Sequence, residues 1–356
     1  MANSISGAVI PTPLFRPWPS AAPMESIIIA LLSASSVKAS TTHSIIRFVD
    51  ADGAVRRGAY VGGNRARLLH NSDSDGATPL SGTGPWLLSD RVVAVKRLLA
   101  PIPQPPAIYA IGLNYWGHIN ASGLTPPQTP SLFYKNLHAF TDPFSPIEVP
   151  ILKAPNGTTY PTRPDYEGEL GLIIGPAGCK DVSFDDAMSC VQGFTICHDV
   201  SMRCFQSTEN GTCPGNGGQF SFSKGLDTHA PTGPALVSAA QLGDGSGLVL
   251  STKVNGELRQ NVSTSELIFG VKSIISFISQ GTTLVGGALL CTGTPDGVGD
   301  TMRPQSYLVD GDVIDIEIGP IGKLSNRVAV KGGPQRWRAP EDHDLDAFLP
   351  KHPSTA

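Results

Sequence analysis

From residue 44 the chain reads Ile45-Ile46-Arg47-Phe48-Val49-Asp50-Ala51-Asp52-Gly53-Ala54-Val55-Arg56-Arg57-Gly58-Ala59-Tyr60-Val61, two apolar-rich runs on either side of Asp52-Gly53. Asp-Gly accepts the positive φ of a tight turn, so this pattern predicts a pair of strands joined as a hairpin. A loop rich in Gly, Ser and Asp follows at 71–85, then another short element at 92–99. Pro101-Ile102-Pro103-Gln104-Pro105-Pro106 reads as a stiff linker and a domain boundary. Beyond it, short apolar runs alternate with Gly, Pro and Asp turns as far as residue 332. One segment, 263–280, has helical spacing: Leu267, Val271, Ile274, Ile275 and Ile278 share a face, Ser265 or a neighbour caps the start, and Gly281 stops it. The pattern divides the chain into an extension (1–43), a small N-terminal domain (44–104), a larger domain (105–332) and a polar, proline-bearing tail (333–356), the last expected as a surface strap or a partly disordered end.

Within the larger domain, Asp165-Tyr166-Glu167-Gly168-Glu169 runs into Leu170-Gly171-Leu172-Ile173-Ile174-Gly175, a buried-strand pattern closed by glycine. Residues two apart on a strand point to one face, so Glu167 and Glu169 project together, with Asp165 before them. Like charges so close repel unless a cation lies between them, and Mg²⁺ or Ca²⁺ takes oxygen ligands. A solvated strand end is the alternative on these residues alone.

Composition narrows the function classes. Gly 39 and Pro 31 favour turns and short strands over long helices. A net charge of -4, with no basic stretch interleaved with aromatics, gives no reason to expect nucleic acid or an anionic membrane as partner. Cys179, Cys190, Cys197, Cys204, Cys213 and Cys291 include no C-x-x-C pair, and are expected as buried free thiols in a reducing, cytoplasmic setting. The alternative, secretion or organelle targeting, rests on residues 24–40. There Ile27-Ile28-Ile29-Ala30-Leu31-Leu32 resembles a short signal core, but lacks a basic flank and is too short to span a bilayer. N-x-S/T sequons at Asn120, Asn156, Asn210 and Asn261 matter only if the chain is secreted.

Other groups could carry chemistry. Gly193-Phe194-Thr195-Ile196-Cys197 reads as a strand with Asp199 at its end, and Arg203 and Gln206 follow one turn later. Arg can clamp a carboxylate and Gln can hold an oxo oxygen or a water. His118 is a candidate base, although a lone histidine is more often structural. Lys224 is either a charge stabiliser or a surface lysine. The loop Thr292-Gly293-Thr294-Pro295-Asp296-Gly297-Val298-Gly299 offers backbone N–H groups to a carboxylate, or is a turn with no ligand. Phosphate-loop, dinucleotide-fold, nucleophile-elbow and paired-histidine metal motifs are absent from the sequence.

Taken in order, these motifs form a larger set. They are Gly112-Leu113-Asn114-Tyr115 with His118, Pro130-Ser131-Leu132-Phe133-Tyr134-Lys135-Asn136, Tyr166-Glu167-Gly168-Glu169-Leu170 and His198-Asp199-Val200-Ser201-Met202-Arg203 with Gln206. Gly217-Gly218-Gln219-Phe220 leading to Ser223-Lys224-Gly225-Leu226-Asp227, Lys253-Val254-Asn255-Gly256-Glu257-Leu258-Arg259-Gln260, and the Thr292–Gly299 loop complete it. The set resembles the fumarylacetoacetate hydrolase family, in its form with a small N-terminal domain, over about residues 107–330. The resemblance implies an α+β, mostly β fold: a mixed β-roll catalytic domain beside a small β-containing domain, assembled as a homodimer. It implies Mg²⁺, or Mn²⁺ or Ca²⁺, on Glu167, Glu169 and Asp199. It implies catalytic roles for His118, Lys224 and Gln206, and substrate contacts at Arg203, Tyr134, Lys135, Thr294 and Gly293. The family's substrates are 2-oxo or 1,3-diketo acids such as acylpyruvates, and its reactions are C–C hydrolysis, decarboxylation and keto–enol isomerisation.

Two residues depart from the family pattern. Its hydrolases and decarboxylases resemble one another in a Glu three residues after the histidine, which orients and activates the imidazole; here that residue is Ala121. Cys204 stands where an acid commonly follows the arginine. Hydrolysis or decarboxylation through an enolate is the first expectation. A tautomerase, isomerase or biosynthetic cyclase is the alternative that Ala121 favours, and a non-catalytic metal-stabilised binding protein is a third.

Overall fold

A computed structural model describes residues 40–206, 218–332 and 344–350. The expectations for residues 1–39, for Cys213 and Asn210, for Gly217 and for most of the tail lie outside the described residues.

The Asp52-Gly53 hairpin forms as its sequence requires. Ser44–Asp50 pairs antiparallel with Val55–Gly62, placing Val49 opposite Val55. Gly53 turns at φ 80°, and Asp50 Oδ1 accepts from Asp52 N at 3.0 Å and Ala54 N at 2.9 Å. Arg65–Leu69 adds a third strand. Trp86–Leu99 adds a fourth that returns to pair with the first, closing a small four-stranded ring. The fourth strand begins earlier than residue 92, because Leu88 pairs with Leu69 and Trp86–Leu87 with Thr41–Thr42. Phe48, Tyr60, Leu68 and Leu98 fill the ring. Part of the tail is a strap: Leu345 and Leu349 are buried in this cluster, and Tyr60 Oη donates to Asp346 Oδ1 at 2.7 Å.

Ser44–Asp50 also pairs with Ala230–Ser238, so the sheet continues into the larger region. Its further order is Val191–His198, Gly168–Ile174, Leu289–Cys291, Ile108–Gly112 and Ser131–Tyr134. Only the step between Leu289–Cys291 and Ile108–Gly112 is parallel. A second sheet runs in the order Glu257–Ser263, Val249–Val254, Val313–Ile318, Gly322–Val330 and Ile147–Val149, and packs across the first. The fold is mostly β and mixed. Gly168–Ile174 is covered on both faces, and all seven of its residues are buried, which explains its unbroken apolar sequence.

Two expectations are corrected. The helix expected at 263–280 is confined to Val271–Ile278. Residues 257–263 belong to a strand, Thr264–Glu266 form a 3-10 turn, and Ile268 N and Phe269 N donate to Asn114 O and Asn114 Oδ1, each at 2.8 Å, which takes these N–H groups out of any helical ladder. Val271, Ile274, Ile275 and Ile278 do form its buried face. The cysteines, expected as free thiols, are paired: Cys179 bonds to Cys190 and Cys197 to Cys291, and Cys204 is disulfide-bonded too. Among the described residues no helix is long and apolar enough to cross a membrane.

Candidate functional site

Register builds the site. Glu169 lies in the Gly168–Ile174 strand and Glu167 immediately precedes it. Gly168 separates them because a Cβ there would collide with Thr252 Oγ1 and sit 3.1 Å from Ile316 Cγ2, so glycine lets the second sheet close over the pair. On the neighbouring strand His198 pairs with Gly168, and Asp199 N donates to Glu167 O at 2.9 Å. This step sets Asp199 beside the glutamates. Ligand oxygens of Glu167, Glu169 and Asp199 lie within 4.8 Å of one another, and all three residues are buried.

Three cations enclose this cage. Lys224 Nζ lies 2.6 Å from Glu167 Oε2 and 2.6 Å from Asp199 Oδ2. Lys135 Nζ pairs with Asp199 Oδ1. Arg203 Nη2 lies 2.7 Å from Glu167 Oε1, its Nε donates to Asp165 Oδ2 at 2.8 Å, and its Nη1 donates to Gln206 Oε1 at 3.0 Å. Gln206 Nε2 in turn donates to Ser223 Oγ at 3.1 Å. Burial opposes the charge on Glu167, but Lys224 and Arg203 outweigh it and hold the carboxyl well below its ordinary range. Burial likewise opposes the charge on Lys224, and Asp199 and Glu167 reverse the effect and raise its pKa.

Glu169 is the exception. Its only protein donor among the described residues is Gly293 N, at 2.8 Å, and no side-chain cation pairs with it. Burial pushes its pKa well up, and the charges of Asp199 and Glu167 push the same way. The cage therefore holds one carboxylate more than its lysines and arginine pair with. A hard divalent cation takes oxygen ligands, and one seated among Glu167, Glu169 and Asp199 would relieve the repulsion that Glu169 bears. The residues fit such an ion.

His118 is buried on the helix Trp116–Ser122. Burial lowers its pKa; Glu167 acts against this, and Arg203 and Lys224 add to it. Its Nδ1 is buried with no hydrogen-bond partner, and Ala121, on the same helix, is exposed.

Several expected substrate contacts are engaged with the protein itself. Lys135 and Arg203 hold cage carboxylates, and Gly293 N serves Glu169. Thr294 Oγ1 donates to Gly168 O at 3.0 Å and accepts from Gln260 Nε2 at 2.9 Å. Tyr134 is not brought to the cage: it is half exposed and packs on Tyr109, with ring centroids 5.6 Å apart. Its strand neighbour Phe133 points the other way and has Lys224 Nζ 5.3 Å from its ring centre. Two supporting residues carry no site role from the sequence alone, where Asp165 is only the acid before the glutamates and Gln260 only the end of a motif. Asp165 collects the N–H groups of Tyr166, Gly299 and Asp300 as well as Arg203, anchoring the arginine. Gln260 accepts from Gly168 N at 3.1 Å and donates to Thr294 Oγ1 and Pro295 O, clamping the Glu-Gly-Glu peptide to the 292–299 loop.

Residues 107–329, more than half of the chain, match the fumarylacetoacetate (FAA) hydrolase C-terminal family. The chain belongs to the fumarylacetoacetate hydrolase family. Among similar family members, an oxaloacetate tautomerase of Bacillus subtilis is 39% identical over 239 residues, covering 65% of this chain and 73% of that protein. A 2,4-didehydro-3-deoxy-L-rhamnonate hydrolase of a Sphingomonas species is 36% identical over 273 residues, covering 72% and 90%. The solved structure of a 2-hydroxyhepta-2,4-diene-1,7-dioate isomerase from Mycobacterium marinum aligns with TM-score 0.64 at 31% identity, covering 82% of this chain and 100% of that one. Tautomerase, hydrolase and isomerase relatives thus share this family fold, and the chain is an enzyme of that family.

Proposed function

We propose that this chain is a divalent-metal-dependent tautomerase that interconverts the enol and oxo forms of a small 2-oxo dicarboxylic acid of the oxaloacetate type. One observation carries the reading: His118 is buried close to the cage with Nδ1 unpartnered, and the residue three positions on is Ala121. Activating a water for C–C hydrolysis needs a base whose pKa lies near the working pH. Here burial and two neighbouring cations depress the imidazole more than Glu167 raises it, and no carboxylate is hydrogen-bonded to its Nδ1. Moving a proton between a carbon and the adjacent oxo oxygen asks less, because no water is split. The oxaloacetate tautomerase relative agrees with this choice.

Glu167, Glu169 and Asp199 would hold the ion, which supplies a Lewis acid for the oxo oxygen. The Lys224 ammonium, fixed between Glu167 and Asp199, offers positive charge where the enolate oxygen would develop negative charge. Neutral His118 would take a proton from the carbon next to the oxo group and deliver it to the enolate oxygen, or carry it the other way from the enol oxygen to the carbon. C–C hydrolysis, the activity in the name of the Sphingomonas relative, is the competing outcome.

The test follows decay of the enol absorbance of oxaloacetate with Mg²⁺ and after its removal by EDTA. The expected result is metal-dependent acceleration that Glu169→Gln abolishes. A rate equal to that of buffer with Mg²⁺ overturns the proposal.

A further inference from the structure

Every cysteine among the described residues is disulfide-bonded. Cys197 and Cys291 are fully buried, 94 positions apart in the chain, with Cα atoms 5.9 Å apart. They sit on the two strands that flank Gly168–Ile174, and Gly171 lies between them: a Cβ there would press to 3.3 Å from Cys197 Cβ. Cys179 and Cys190 also have Cα atoms 5.9 Å apart and pin the segment between two strands. Buried thiols kept only for packing have no reason to be matched in pairs. Structural disulfides persist where the compartment is oxidising and are rare where glutathione keeps thiols reduced.

That compartment, in a eukaryotic cell, is also where N-x-S/T sequons are read. Three sequons fall in the described residues, Asn120-Ala121-Ser122, Asn156-Gly157-Thr158 and Asn261-Val262-Ser263, and all three asparagines are exposed. Asn120 shares the short helix of His118, so a glycan there would sit on an element of the candidate site. The other two are free of that conflict. Asn156 stands at the tip of a turn closed by the Lys153–Thr159 bridge. Asn261 lies on the terminal strand of the five-stranded sheet, between the buried Gln260 and Val262, so its side chain points outward. A glycan there would cover a sheet edge that carries the half-exposed Leu258, an edge otherwise open to pairing with another chain.

We propose that this chain matures in an oxidising secretory compartment, carrying the Cys179–Cys190 and Cys197–Cys291 bridges and N-linked oligosaccharides on Asn156 and Asn261. Each bridge forms by thiol–disulfide exchange: two thiols give two electrons and two protons to a carrier disulfide, which leaves as a dithiol. In each glycosylation the asparagine Nδ2 bonds to the anomeric carbon of a lipid-diphosphate-linked sugar. The C–O bond to the diphosphate breaks, the lipid diphosphate leaves with the electron pair, and Nδ2 releases one proton. The apolar run Ile27–Leu32 is the segment of this sequence that resembles a short signal core, without a basic flank. A reducing, cytoplasmic setting is thereby replaced as the expectation.

The test uses full-length protein isolated from the cells that make it, denatured without reductant and alkylated before digestion. Cys179, Cys190, Cys197 and Cys291 are expected to stay unalkylated until reduced. Enzymatic deglycosylation is expected to convert Asn156 and Asn261 to aspartate. Alkylation of Cys197 and Cys291 before reduction overturns the proposal, and so does recovery of both asparagines unmodified.

Discussion

Lys224 Nζ sits 2.6 Å from Glu167 Oε2 and 2.6 Å from Asp199 Oδ2, so a single ammonium ties together two of the three cage carboxylates. Removing one partner of a buried pair costs about 3–5 kcal/mol, because it leaves the other charge uncompensated. K224M is therefore expected to melt earlier than the parent in EDTA and to recover most of the difference in excess Mg²⁺. Turnover should stay down by about 10²–10³-fold even with the metal present, the usual cost of losing one charge stabiliser. Equal melting temperatures of K224M and parent in EDTA would contradict this pairing.

Gln260 links Gly168 N to Thr294 Oγ1 and Pro295 O. It touches no cage oxygen in these contacts, so its effect runs through the peptide between the glutamates. Groups that support metal ligands in this way typically contribute about 10–100-fold to metal affinity. Q260L should weaken Mn²⁺ binding by that factor and cost about 1–3 kcal/mol of stability for the stranded Gly168 N–H. Q260E, which keeps the acceptor and loses the donor, should fall between. Calorimetric titration with Mn²⁺ reads the difference, and unchanged affinity in Q260L would show that the clamp is only structural.

His229 is fully buried, with Nε2 3.2 Å from Glu148 O, and burial brings its pKa down to about 3, with Lys135 adding to the effect. Its unfolded value is about 6.5. The folded form therefore stays neutral while the unfolded form takes up a proton. Stability is complete above about pH 6.5 and is lost as pH falls towards 3, by about 1.4 kcal/mol per pH unit. His198, also brought to about 3 by burial, adds a second contribution in the same window. Urea unfolding at pH 7 and pH 5 should show H229N losing less stability on acidification than the parent. Identical losses would place the acid sensitivity elsewhere.

These supporting residues were the least legible part of the sequence. Glu167, Glu169 and Asp199 could be read because strand period and strand ends are local properties, and the Asp52-Gly53 hairpin for the same reason. The role of Gln260 depends on how the second sheet crosses the first, and that of Phe133 rather than Tyr134 on which face of the Ser131–Tyr134 strand meets the cage. The long helix expected at 263–280 failed because Asn114, some 150 residues upstream, takes the N–H groups of residues 268 and 269 away from helical partners. The cysteine pairs were hidden because Cys197 and Cys291 meet only once the strands on either side of Gly171 are in register.

Ala121 marks the boundary between proton transfer and water chemistry. A glutamate at that position lies three residues from His118 on one helix face, within reach of the unpartnered Nδ1. A121E is expected to raise the imidazole pKa and to add decarboxylation or hydrolysis of oxaloacetate and acylpyruvates, with a gain of about 10²-fold at the low end of general-base contributions. Product release measured for A121E and the parent checks it. No gain, with a raised histidine pKa seen by NMR, would mean that another feature withholds water chemistry.

The central claim is that this site moves a proton and leaves carbon–carbon bonds intact. Proton NMR of oxaloacetate in D₂O with the Mg²⁺-loaded protein measures both at once, as exchange of the hydrogens next to the oxo group and as appearance of pyruvate. The account predicts that exchange accelerated by the protein outpaces pyruvate formation by at least about a hundredfold, the scale of a positioned acid–base group. Pyruvate appearing as fast as exchange, or exchange no faster than with Mg²⁺ alone, would contradict it.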